Sequence, residues 1–243
     1  MVPFLPQVLR MEIAHSPPLQ RATRLTLTDS VAESLRAAIF RRTLQPGQRI
    51  PEAQFAIKLG VSRAPVRDAL AVLLQEGLVN RDSRGAVVTL LSRSDVDEIS
   101  ELRLALERLA ITLAIRNASD EQLANLADNI RRTARAHAVG EAGELDLEFH
   151  ELLVRAANNR RLLDSWLALR GQVRLLLLQM DHDDAKYPRH TASAHRRVLK
   201  AMQARDERLA LRRLTRQLKN THDHVADHYA EIERANKQSS DCA

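Results

Sequence analysis

Apolar residues recur three and four positions apart over most of the chain, and they alternate in one short stretch only. That periodicity predicts helices nearly throughout. The first pattern opens at Thr28, a candidate N-cap, and continues through Val31, Leu35, Ala38 and Ile39. Leu44-Gln-Pro-Gly47 is turn punctuation. A short helix is predicted from about Glu52 to Leu59, ended by Gly60, and Ser62 caps the next one. This third helix carries Val66, Ala69, Leu70 and Leu73 on one face and stops at Gly77. Leu78-Val79 and Ala86-Val-Val-Thr-Leu90 then read as two strands joined by the hairpin Asp82-Ser-Arg-Gly85. Residues 24–91 therefore predict a winged helix-turn-helix.

After that point the pattern is helical only. Ser94 precedes Val96, Ile99, Leu102, Leu106, Leu109 and Leu113, read as an inward stripe. Ser119-Asp-Glu-Gln122 is a capping box ahead of Leu123, Leu126 and Ile130. Gly140-Glu-Ala-Gly143, Asn158-Asn159 and Tyr187-Pro188 mark breaks, and Asp206 caps a last helix ending near residue 233. The expected fold class is mainly α, an N-terminal winged helix-turn-helix followed by an all-α bundle of about six helices over 94–235. Residues 1–23, with Pro3, Pro6, Pro17 and Pro18, are expected to be a disordered arm, and 236–243 a tail. Met11 is an alternative start to Met1.

Composition sharpens this. Hydrophobic residues make up 44% but aromatics 3%, so the core is aliphatic, and 243 residues accommodate two domains. The lone cysteine, Cys242, permits no disulfide within the chain, and no apolar run approaches the ~20 residues of a membrane span. A cytoplasmic protein is expected. The net charge is +6, and residues 21–91 hold 11 Arg and Lys against 6 Asp and Glu, which concentrates the excess on the winged module. A localised basic module is the footprint of a polyanion partner.

The chemistry of that partner follows from Ser62-Arg63-Ala64-Pro65-Val66-Arg67. Arg63 and Arg67 lie four apart and share a face, while Val66 and Leu70 point to the core. Two guanidiniums on a recognition helix can each fork onto guanine O6 and N7. Pro65 is tolerated in the first turn, which needs no intrahelical N–H partner. In the wing, Gly85 permits the tight turn and Arg84 is placed for a phosphate or the minor groove. Asp146 and His150, also four apart, present a carboxylate and an imidazole on one face, a spacing that suits a metal or an ordinary solvated contact. Arg103 and Glu107 repeat the spacing and read as a surface pair.

These residues also carry a family resemblance. Leu44-Gln-Pro-Gly47, Leu59-Gly-Val-Ser-Arg-Ala-Pro-Val-Arg-Asp-Ala-Leu70, Glu76-Gly-Leu-Val79 and Arg84-Gly85 resemble the GntR family of transcription regulators. The resemblance implies operator contacts from Ser62, Arg63, Ala64, Pro65 and Arg67, assisted by Arg84 and Gly85. Ala53 stands where some members carry a phosphate-binding arginine. The segments around Glu101–Ala110, Asp146–Leu153, Asn159–Leu162 and His195–Ala210 resemble the FCD effector domain of the FadR branch, with a helix count closer to its VanR-like subgroup. Such domains hold a divalent metal, Zn, Ni or Mn, through one Asp and three His. Asp146, His150 and His195 match three positions. The fourth falls on Gln217, with His224 as a substitute about 10 Å further along the helix, and Ala194 replaces a usual glutamate. Arg103 matches a position facing the effector, for which a small carboxylate is implied.

The resemblance implies a homodimer on palindromic double-stranded operator DNA, without enzyme activity, most commonly a repressor released by a small organic acid. A constitutive DNA binder with a purely dimerising helical domain is an alternative. A metal-dependent hydrolase would need an open metal position and a base such as Glu148 or Glu151, and no nucleophile, phosphate loop or HExxH signature accompanies them.

Overall fold

The computed structural model describes residues 26–178 and 186–240. The expected N-terminal arm, Asp181–Asp184 and Cys242 lie outside the described residues. The winged module comprises α1 (Leu27–Phe40), α2 (Glu52–Leu59), α3 (Arg63–Gln75), β1 (Val79–Asp82) and β2 (Gly85–Val88). Six helices follow: α4 (Arg93–Asn117), α5 (Asp120–Arg135), α6 (Val139–Ala156), α7 (Arg160–Leu177), α8 (Tyr187–Gln203) and α9 (Glu207–Ser240).

In the winged module, Val31, Leu35 and Ile39 of α1 pack on Val66, Leu70 and Leu73 of α3, all buried. Gly60 closes α2 in the left-handed conformation, φ +66°, which glycine adopts without a Cβ penalty. The two strands pair antiparallel with Val79 opposite Val88 and Asp82 opposite Gly85, leaving Ser83 and Arg84 as the tip. Gly85, at φ +116°, makes that tip possible. The chain before α2 lays itself along β2 through Ile50 N–H to Ala86 O and Val88 N–H to Gln48 O, each 2.9 Å.

In the helical domain α6 is central, packed by α4, α5, α7 and α8, with Leu147, Phe149, Leu153 and Val154 fully buried. The winged module rests on α7. A Cβ on Gly77 (φ +69°) would come within 2.6 Å of the Gln172 side chain, and one on Gly171 within 3.1 Å of Leu78. Nearby, the Arg174 guanidinium stacks 3.8 Å over the Phe40 ring and pairs with Glu144 of α6.

Several boundaries differ from the sequence expectation, each for a local reason. α1 is capped by Thr26 rather than Thr28, because Asp29 at N3 returns a hydrogen bond to Thr26 N–H and completes a capping box. Ser92, with Asp95, takes the place expected of Ser94. Gly140 and Gly143 do not break the chain. They lie in the opening turns of α6, where the first N–H groups need no helical partner and burial downstream holds the helix. Tyr187-Pro188 opens α8, since proline fits a first turn. No glycine or proline follows Asp206, and α9 continues to Ser240. The inward face of α4 is also not the leucine stripe. Val96, Ile99, Arg103, Glu107, Ala110 and Ala114 are buried, whereas Leu102 and Leu109 remain 50% and 46% exposed.

Candidate functional site

Two separate surfaces carry chemistry. On the winged module, Ser62, Arg63, Ala64 and Arg67 are exposed and Pro65 half-buried at the start of α3. Val66 and Leu70 anchor the helix from beneath. Ser62 occupies the N-cap position, but its hydroxyl makes no cap hydrogen bond. It therefore remains available at a helix N-terminus that favours phosphate. Arg63 has no ion pair among the described residues, while Arg67 lies 3.4 Å from Glu52 of α2. At the wing, Asp82 accepts from Arg84 N–H (2.8 Å) and pairs with Arg49, which leaves the exposed Arg84 side chain pointing from a braced turn.

The second surface is a buried polar cluster inside the helical domain. α6 supplies Asp146 and His150, α8 supplies His195, α9 supplies Gln217, and α4 supplies Arg103 and Glu107. His150 and His195 are fully buried, and Asp146 is 5% exposed. Ligand atoms of Asp146, His150 and His195 all lie within 4.8 Å of one another. His195 Nε2 stands 3.1 Å and His150 Nε2 3.7 Å from Asp146 Oδ1. The Gln217 amide nitrogen is 3.3 Å from His150 Nε2. Phe149 stacks on the His195 ring at 3.7 Å and fixes its plane.

Behind this group Glu107 joins two cations. Its Oε1 accepts from Arg103 Nε at 2.8 Å, and its Oε2 accepts from His150 Nδ1 at 2.5 Å. Arg103 is therefore not on the surface. It is 4% exposed and lies 4.0 Å from Asp146. In front of the cluster a cavity of about 660 Å³ opens between α8 and α9, walled by Asp146, Thr191, Arg197, Arg213, Arg216 and Gln217. Arg103 does not line it.

Comparison with known proteins assigns the two domains. The profile of the bacterial regulatory proteins of the gntR family matches residues 27–88, and that of the FCD domain matches 98–238. The chain belongs to the GntR family, in its FCD-bearing branch. It is 42% identical over 133 residues to the uncharacterized HTH-type transcriptional regulator YdhC of Bacillus subtilis, covering 53% of this chain and 59% of YdhC. It is 28% identical over 204 residues to the gluconate operon transcriptional repressor of Bacillus licheniformis, covering 81% and 84%. Escherichia coli McbR/YncC shares the fold, with a TM-score of 0.72 at 22% identity, covering 85% of this chain and 100% of that one. Among the described residues, no helix of this GntR-family chain is long and apolar enough to cross a membrane.

The donor set of the FCD cluster fits a divalent cation. Metal bonds near 2.1 Å hold neighbouring ligand atoms roughly 3–3.4 Å apart, and the Asp146 to His195 separation is of that size. His195 Nδ1 and Gln217 Oε1 are buried without a hydrogen-bond partner, and unpaired buried polar atoms are costly unless a ligand satisfies them. The protonation states agree. Burial lowers the His195 pKa despite Asp146 beside it, which keeps the ring neutral. Burial would raise the Asp146 carboxyl, but the His150 and His195 imidazoles outweigh it and hold it well below the usual range. For Glu107, the charges of His150 and Arg103 overcome burial and bring it down to about 2. Burial alone would lower His150, yet Glu107 raises it, so a bound cation would have to displace that proton. With Nδ1–H directed at Glu107, the Nε2 lone pair faces Asp146 and His195, the orientation a metal ligand requires.

Glu107 was not singled out from the sequence. Its signal was the Arg103 spacing, which does not tell a buried pair from a solvated one. Two further described histidines lie outside the cluster. His224 is exposed at the cavity rim, and His222 bonds Asp97 of α4 at 2.6 Å. Glu148 and Glu151 engage Arg132, Arg155 and Arg170 instead of the cluster.

Proposed function

We propose that this GntR-family protein is a ligand-responsive DNA-binding transcription regulator, a repressor released from a palindromic operator by a small organic acid. The observation that carries the reading is the pairing of an exposed arginine face on α3 with a buried, incompletely satisfied polar cluster beside an open cavity. Ser62, Arg63, Ala64, Pro65 and Arg67 contact the operator, and Arg84 and Gly85 reach it from the wing. Asp146, His150 and His195 hold a divalent cation, with the Gln217 amide oxygen as a harder fourth donor. When bound, the cation attracts a ligand carboxylate. Arg103 was expected to face the effector; buried behind Asp146 and off the cavity wall, it acts on the ligand only through the charge it sets at Asp146. A gluconate operon repressor among the relatives is consistent with an acid effector.

Pairing of two copies is supported by α4, where Leu102, Leu106, Leu109 and Leu113 form an apolar stripe turned at least partly away from the core. Effector binding changes operator affinity only through a difference in ligand affinity between the DNA-bound and free arrangements.

The test uses purified protein and its own upstream DNA. Arg63→Ala and Arg67→Ala should each weaken specific binding by about 1–3 kcal/mol. Asp146→Ala and His195→Ala should lower bound metal while leaving that binding in place. Unchanged operator affinity in both arginine variants would remove the recognition-helix assignment, and equal metal content in all proteins would remove the cation.

A further inference from the structure

The walls of the cavity between α8 and α9 are unusual in sign. On α9, Arg213, Arg216, Gln217, Asn220, Thr221 and His224 all face it. This spacing puts one continuous stripe along the helix, and no member of it is apolar. Across the gap α8 contributes Arg197. Among the described residues that line the cavity, the only carboxylate is Asp146. Asp146 is already compensated by Arg103 at 4.0 Å and by the two imidazoles.

The three guanidiniums of Arg197, Arg213 and Arg216 therefore face the cavity without an acidic partner among the described residues. Arg197 donates only to Ser193 Oγ, at 2.9 Å. Many arginines elsewhere on this chain have carboxylates, as Arg36 has Glu76, Arg132 has Glu148 and Arg170 has Glu151. A solvated helix face normally mixes signs, and like charges gathered around a concave wall raise one another's energy unless an anion joins them.

We infer that Arg197, Arg213 and Arg216 form a second anion subsite, so that the ligand of this cavity carries a second anionic group, a phosphate ester or a second carboxylate, at the end remote from Asp146. This deepens the effector reading and rests on it. One end of the ligand lies at the buried cluster, and the other is gripped at the mouth, where guanidinium forks match phosphate and carboxylate geometry. A volume of about 660 Å³ accommodates a polar acid of several carbons between the two ends. Thr191, Asn220 and Thr221 supply neutral hydrogen-bonding groups along the way.

Calorimetric titration of the full chain tests this with three probes of one carbon skeleton: gluconate, 6-phosphogluconate and glucarate. At least one of the two probes with a second anionic group should bind about tenfold or more tightly than gluconate. A preference for 6-phosphogluconate identifies a phosphate ester, and one for glucarate a dicarboxylate. In Arg213→Gln/Arg216→Gln the preference should collapse while gluconate affinity, bound metal and thermal melting stay as in the parent. Arg196→Gln, an exposed neighbour off the cavity wall, should keep it, and Arg213→Lys/Arg216→Lys should retain part of it. Equal affinity for all three probes, a preference that survives in the double glutamine variant, or no binding of 6-phosphogluconate or glucarate at millimolar concentration would each overturn the subsite. The titration contains no DNA, so a failure to bind operator would sink the regulator reading without touching this one.

Discussion

Glu107 offers the sharpest quantitative test of the buried cluster. It is fully buried and bonds Arg103 and His150 at once, at 2.8 and 2.5 Å. Glu107→Ala leaves a guanidinium with only Asp146, 4.0 Å away, and an imidazole N–H with no acceptor. Removing one partner of a buried pair costs about 3–5 kcal/mol, because the survivor stays desolvated. For a chain of this size each kcal/mol moves the melting temperature by roughly 2–4 °C, so a fall of roughly 10 °C is expected. Replacing both members of the pair, in Arg103→Met/Glu107→Leu, removes both buried charges, and its cost should fall well short of the two single costs added together. Urea unfolding at neutral pH measures Glu107→Ala, the double variant and its two singles, Arg103→Met and Glu107→Leu. A zinc titration should show about 10–100-fold weaker binding in Glu107→Leu, because His150 loses its orienting acceptor. A loss under about 1 kcal/mol in Glu107→Ala, against the magnitude for a buried pair, or strict additivity in the double variant would refute the argument that Glu107 ties the two cations together.

Three further outcomes follow from other parts of the molecule. Gly77→Ala forces an L side chain into φ +69° against Gln172, at about 1–2 kcal/mol for the backbone alone; adding Gln172→Ala should recover the steric part only, as read by thermal unfolding. At the α4–α9 contact, partial burial lowers the His222 pKa but Asp97 and Asp223 raise it further, for a net rise above 6.5. That contact is therefore fully stabilising below the unfolded value of about 6.5 and weakens as pH rises through the folded one; an NMR titration of His222 should shift downward in Asp97→Asn, and an unmoved midpoint would discount the pair. Glu52→Gln frees Arg67 from its 3.4 Å partner and should tighten DNA binding a few-fold at low salt, with a steeper salt dependence in a mobility-shift series.

The winged module was legible because each of its signals is local. A glycine closes α2, a serine opens α3, the inward face of α3 is uninterruptedly apolar, and Gly85 permits the hairpin. The spacing of Asp146 and His150 likewise put two donors on one face, and the family resemblance pointed to His195 and to Gln217, which the fold brings within 3.3 Å of His150. What sequence reasoning misjudged was the direction of α4. Leu102, Leu106, Leu109 and Leu113 looked like the core stripe and Arg103 with Glu107 like a solvated pair. Hydrophobicity ranks the leucines inside, but a buried ion pair is tolerated where a third group completes it, and that group, His150, comes from a helix 43 residues further along. The polar stripe on α9 was hidden for the same reason. A run of Arg, Gln, Asn and Thr at helical spacing is indistinguishable from a solvated face until a second helix is seen to wall the other side.

The seating of the winged module on α7 bears on how such proteins can be recombined. Gly77 and Gly171 leave no room for even a methyl group without displacement, and Arg174 spans from Phe40 on one side to Glu144 on the other. The joint is a matched pair of surfaces, not a tether. A chimera that moves residues 26–91 onto another sensor, without also moving Gly171, Gln172 and Arg174, would carry the reading head but not its socket. DNA specificity and ligand specificity in this chain are therefore not freely exchangeable cassettes, and the unit of transfer includes a strip of α7.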